Sequence, residues 1–175
     1  MWQQLDRRLS LRQTLWLFPV AFFIHDAEEV FTMERFVRAR LGGVPVPLAR
    51  LAHITTGQFA VAVVGLLVVC VALTALAAGA LRPGWRLWLL QVVLAACLAN
   101  AFTHVAQTLI FRAYTPGVIT AVLVSLPYGV YVFRRLLAAR LIRARQLAGL
   151  LVLGLFLIPA LALPTLLAAT WLWPG

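Results

Sequence analysis

The 175-residue chain is 63% hydrophobic and 11% charged, with a mean hydropathy of +0.97. A soluble globular domain carries about twice that charged fraction, so the composition excludes one and points to a polytopic membrane protein. The net charge of +10 comes entirely from arginine. Most arginines fall between apolar stretches, where they act as topology signals and lipid-headgroup anchors; a nucleic-acid partner is not expected.

The expected fold class is all-α, a single membrane-embedded helical bundle over residues 1–175 with about five transmembrane helices. The first span runs from about Leu11 to Arg38 and carries Pro19 as a kink site. No small-x-small cleavage pattern follows its basic N-terminus, so it reads as an uncleaved span and not a signal peptide. The glycines and prolines of LGGVPVP then break any helix. A second span covers roughly Leu51 to Leu81 and closes at Arg82-Pro83-Gly84; a third covers Trp85 to Phe111. After a turn at Tyr114-Thr115-Pro116-Gly117 comes the fourth, Val118 to Phe133, which is short for a full crossing and contains Pro127. A basic linker, RRLLAARLIRAR, leads to the fifth, Leu147 to Trp171.

Arginine counts on alternate sides set the expected orientation. Arg7, Arg8, Arg12, Arg82, Arg86, Arg134, Arg135, Arg140, Arg143 and Arg145 fall on one side, and Arg35, Arg38, Arg40, Arg50 and Arg112 on the other. The N-terminus is therefore expected in the cytoplasm and the C-terminus outside. Cys70 and Cys97 lie within apolar spans without metal or redox spacing and read as buried structural thiols.

The chain has five acidic residues, and Asp26, Glu28, Glu29 and Glu34 fall within nine positions. On a helix, His25, Glu28 and Glu29 share one face, whereas Asp26 lies about a quarter-turn away. Ionisable groups at membrane depth are costly and commonly face a bundle interior, where they serve chemistry or transport. Counted inward at about 1.5 Å per residue, His25 lies ~13 Å from Glu34 and His104 ~10 Å from Phe111. His53 and Gln58 begin the second span near the same surface, and Asn100, His104 and Gln107 share a helix face. Polar groups from three consecutive helices thus meet in one half of the bilayer.

Such a cluster admits several readings. Imidazole and carboxylate together suit Zn²⁺, Fe or Mn, with His25, Glu28, Glu29, His104 and His53 as candidate ligands and Asn100 orienting a ligand or substrate. The glutamate not bound to metal would then be the general base. Without metal, Glu28 and Glu29 would form an acid/base pair. His25 and the glutamates equally suit a helix end at the interface, and His53 reads as well as an interfacial residue as a ligand. His104 with Asn100 also fits an interhelical hydrogen bond. Glu34-Arg35 reads as a solvated helix end, and Tyr128 and Tyr131 as packing or interface aromatics.

The stretch His25-Asp26-Ala27-Glu28-Glu29 resembles a bacterial family of small membrane proteins named for its HXXEE motif. Asn100-Ala-Phe-Thr-His104, followed by Arg112-Ala-Tyr114-Thr-Pro116-Gly117 and Thr120, is also similar to the family pattern. The resemblance covers roughly residues 15 to 133 and implies a multi-pass protein of the bacterial cytoplasmic membrane. It supports His25, Glu28, Glu29, Asn100 and His104 as motif positions, gives no support to His53, and supplies no reaction.

The leading expectation is an intramembrane metal-dependent enzyme, hydrolase-like, acting on a lipid or other hydrophobic small molecule. The alternatives are a metal-independent isomerase or cyclase and, third, a proton or metal transporter. Transport ranks last because LWLFPVAFF and most of the second span offer few polar groups for a through-path. An enzyme's cavity is expected to be lined by spans one to three, to open toward the outer leaflet, and to be walled by Phe22, Phe23, Phe59 and Phe102.

Overall fold

The computed structural model describes residues 2–41 and 55–172, and these are all-helical. A short helix α1 (Trp2–Arg8) precedes α2 (Leu11–Leu41), α3 (Thr56–Ala78) and α4 (Trp85–Phe111). A further span is built of α5 (Val118–Thr120), a π-helical turn (Ala121–Ser125) and α6 (Leu126–Ala138), and α7 (Ala144–Leu172) follows. Three of the helical stretches, Thr56–Ala78, Trp85–Phe111 and Val118–Ala138, are long and apolar enough to cross a membrane. The chain is thus a helical membrane protein. Most of LGGVPVP and His53 lie outside the described residues.

The bundle closes on α4, whose buried residues Leu87, Leu90, Leu94 and Leu98 meet Leu15 and Phe18 of α2 and Val132 and Leu136 of α6. Lipid is as apolar as a leucine core, so such helices associate through close packing, which small residues permit. Gly154 of α7 meets Ala95 and Ala96 of α4 in this way: a Cβ there would stand 2.7 Å from Ala96 Cα. Gly129 likewise leaves room for Leu98, 2.7 Å from where its Cβ would be.

Pro127 accounts for the π turn. It has no N–H to donate, and in α-geometry its ring would press on the carbonyl of Leu123. Widening the turn relieves the clash, and the Leu126 N–H bonds the Ala121 carbonyl five residues back.

The N-terminal helix is tied to the base of the bundle. Arg134 forms an ion pair with Asp6 and lies 5.9 Å from the Trp2 ring centroid; Trp2 in turn stacks on Tyr131 at 5.3 Å. The Arg134 hydrogen bonds hold the Asp6 carboxyl below its ordinary range. A depressed carboxyl contributes stability above its unfolded pKa and loses it as pH falls through the folded value. The tie should therefore persist at neutral pH and release below about pH 4. Asp6→Asn should reproduce that release at neutral pH, measured as faster tryptic cleavage at Arg7 and Arg8 than in wild type. Equal cleavage rates would mean the ion pair does not hold α1.

Candidate metal centre

Helix α2 presents His25 and Glu29 one turn apart, and α4 brings His104 against them. All three are buried, at 6%, 8% and 6% exposure. Glu29 Oε1 lies 2.9 Å from His104 Nε2 and 3.9 Å from His25 Nε2, and the two imidazoles meet edge to face with centroids 5.0 Å apart. The three residues can each offer one ligand atom, all within 4.8 Å of one another.

Each ring is held by a second polar group. Thr120 Oγ1 lies 3.0 Å from His25 Nδ1, leaving Nε2 turned toward Glu29 with no hydrogen-bond partner. Asn100 Nδ2 lies 2.9 Å from His104 Nε2. The hydroxyl of Thr103 donates to the Asn100 carbonyl at 2.7 Å and reaches its side-chain oxygen at 3.3 Å, which keeps the amide nitrogen toward the histidine. That nitrogen has one site to share: it either accepts from Asn100 through its lone pair or carries a proton that it donates to Glu29 Oε1 at 2.9 Å.

Glu28 points elsewhere. Its carboxylate accepts from Tyr114 Oη at 2.6 Å, from the Thr120 amide and hydroxyl at 2.7 and 2.6 Å, and from the Ile119 amide at 3.3 Å. The glutamate on α2 therefore caps the start of α5 and fixes the loop that carries Thr120 to His25. Glu34 does the same for α3: its Oε2 accepts from the Thr56 amide and hydroxyl, both at 2.6 Å, while Arg38 donates to Oε1 at 2.7 Å. It is a bridge between helices and not the solvated helix end read from sequence.

Gly117 closes the site from the loop side. Its φ of +81° suits glycine, and a Cβ there would stand 2.9 Å from Glu29 Oε1 and 3.0 Å from His25 Cε1. Just before it, Thr115 is fully buried and donates to the His104 carbonyl at 3.3 Å.

The cluster lies on the wall of a cavity of about 330 Å³. Phe22 and Phe59 line it as expected, together with Phe18, Cys70, Cys97 and Tyr128. Phe23 and Phe102 do not; they are 54% and 53% exposed on the bundle's outer surface. The walls also extend past the first three spans to Ser125 and Gly129 and to Leu157 and Ile158 of α7. Asp26 and Gln107 line the cavity too, and Tyr128 donates its hydroxyl to the Thr14 carbonyl at 3.1 Å.

The structure thus brings His25, Glu29, His104 and Asn100 together and turns Glu28 away to hold the 114–120 loop. His53 lies outside the described residues. Sequence reasoning gave no role to Asp26, Tyr114, Gly117 or Thr120. The i, i+3 spacing of Asp26 and Glu29 was the available signal for the first, and the Tyr-x-Pro-Gly turn for the others.

A helical membrane protein with two imidazoles and a carboxylate gathered on a buried cavity wall is the class that fold and site define. The family described as "Protein of unknown function with HXXEE motif" matches residues 16–132, and the chain belongs to it. No curated protein and no solved structure matches the chain.

Proposed function

We propose that the protein is an intramembrane metal-dependent enzyme, hydrolase-like, acting on a lipid or other hydrophobic small molecule. The observation that carries this reading is the convergence of His25, Glu29 and His104 on an apolar cavity. Two histidines and one carboxylate form the donor set of catalytic zinc sites and of non-haem iron triads, which leave positions open for water and substrate. In a tetrahedral site with bonds of ~2.1 Å, neighbouring ligand atoms stand about 3.4 Å apart. The 2.9 and 3.9 Å separations bracket that value. Zinc, iron and manganese all suit these donors.

A divalent ion in this position supplies Lewis-acid activation of water. The protein's own part is to hold that chemistry in place. Thr120 fixes the His25 ring through Nδ1, the nitrogen turned away from Glu29, as polar partners of ligating histidines do, whereas Asn100 meets His104 at Nε2 and would give up that contact to a metal there. Glu28, with four donors already on its oxygens, holds the loop and is not placed as a base. The hydrophobic walls keep bulk water out and admit an apolar substrate. We place the protein in a bacterial cytoplasmic membrane with its N-terminus inside, on the arginine asymmetry.

A second reading rests on the 2.9 Å contact between Glu29 and His104 itself. That pair is an acid/base couple and would serve an isomerase or cyclase without metal. Metal analysis of purified wild type and His25→Ala separates the two. About one ion per chain is expected in wild type and less than about a tenth of that in the variant. Equal, negligible metal in both would remove the metal reading and leave the acid/base couple.

A further inference from the structure

We infer that Asp26 is a ligand-binding residue whose carboxyl anchors the hydroxyl group of a single-chained hydrophobic alcohol inside the cavity. Of the chain's five acidic residues, the other four have partners: Asp6 with Arg134, Glu28 with the α5 loop, Glu29 with the histidines, Glu34 with Thr56 and Arg38. Asp26 is the exception. It is 8% exposed, and its Oδ2 is shut off from solvent with no hydrogen-bond partner among the described residues. Buried polar atoms are almost always paired, so a carboxyl with an unpaired oxygen on a residue that lines a cavity marks where a ligand's polar group belongs.

The surroundings narrow the ligand. Asp26 shares its wall of the cavity with Cys70, Cys97, Phe22 and Val93. None of the described lining residues is an arginine, so nothing among them invites a carboxylate or phosphate headgroup beside Asp26 and Glu29. A carboxyl both donates and accepts in its two protonation states, and a hydroxyl can answer either. The cavity's 330 Å³ falls at the low end of the roughly 300–1,000 Å³ found for small-molecule pockets, which suits one chain and not two.

Position links this anchor to the cluster. Asp26 and Glu29 are three residues apart on α2, so their Cβ atoms are about 5–6 Å apart. A hydroxyl held at Asp26 puts the adjoining part of the ligand beside His25, Glu29 and His104, with the chain running along Phe22, Phe59 and Leu66. The inference rests on the reading that the cavity takes a hydrophobic ligand, and it is independent of the metal.

Photo-crosslinking tests it in membranes treated with chelator, with three diazirine-bearing C16 probes at equal mole fraction: an alcohol, the matched alkane and the matched primary amine. Wild type should be labelled at cavity residues by the alcohol about fivefold or more above the alkane. Asp26→Asn, which keeps both hydrogen-bonding roles, should stay within about twofold of wild type, and Asp26→Val should fall to the alkane level. Unchanged alkane labelling in Asp26→Val shows an intact cavity; if that variant does not fold, Asp26→Ala takes its place. Equal labelling by alcohol and alkane in wild type overturns the Asp26 assignment alone. Stronger labelling by the amine overturns the hydroxyl. Cavity residues labelled by no probe would overturn the anchor and the hydrophobic-substrate reading together.

Discussion

Glu29→Gln is expected to lower metal affinity by at least about a hundredfold, whereas Glu28→Gln should lower it no more than about tenfold. The two residues are neighbours in one motif and have different work. Glu29 Oε1 faces both imidazoles, and replacing it with an amide removes the only carboxylate among the three converging side chains. An amide can keep one hydrogen bond to His104, so in chelator, where no metal contributes, Glu29→Gln should melt near the wild-type temperature. Glu28 accepts four hydrogen bonds from the 114–120 loop. An amide in its place loses the charge and turns N–H groups toward donors. At about 1.5–3 kcal/mol for a hydrogen bond to a charged group, the variant should melt about 5 °C or more below wild type. Calorimetry or a thermal shift assay, together with metal titration, reads both effects. A metal-free Glu28→Gln with normal stability, or a metal-replete Glu29→Gln, would reverse the assignment.

Gly117→Val should be at least as damaging as losing a ligand, although residue 117 offers no side chain at all. At φ +81° an L-residue has its Cβ against backbone, a cost of about 1–2 kcal/mol that β-branching increases. The same Cβ would push on Glu29 Oε1 and His25 Cε1 from 2.9 and 3.0 Å. Relief requires the loop or the ligands to move, so metal affinity should fall about a hundredfold or more together with the melting temperature. Gly65→Ala is the matched control: its Cβ would meet nothing within 4 Å and sits mid-helix in α3. Metal affinity within twofold of wild type in Gly117→Val would show that the loop does not shape the site.

Much of this was legible in the sequence because hydropathy and punctuation act locally. The span from Trp85 to Phe111 has the same limits in sequence and structure, since Pro83-Gly84 precedes it and a left-handed Arg112 ends it. The meeting of His25, Glu29 and His104 followed from counting depth on two helices. What failed was rotation. Glu28 and Glu29 both fall on the His25 face by periodicity, and only the packing of α2 against α4 and the 114–120 loop decides which one turns inward. The same rotation turns Asp26 into the cavity and Phe23 out to the surface. The π turn hid behind Pro127, whose usual reading is a kink, and the part α7 plays in the cavity wall has no ionisable residue to announce it, only Thr165 among apolar side chains.

The cap that Glu28 places on α5 also dictates an order of assembly. Glu28 leaves the ribosome 92 residues before Thr120, which supplies two of its hydrogen bonds. Through that interval α2 carries its acidic cluster toward the bilayer while the groups that will hold Glu28 have yet to be made. Glu28 gains its hydrogen-bond partners only when the hairpin between α4 and α5 arrives. A chain that ends before residue 120 carries the histidines and both glutamates, yet lacks the Thr120 contacts that hold Glu28 and meet His25.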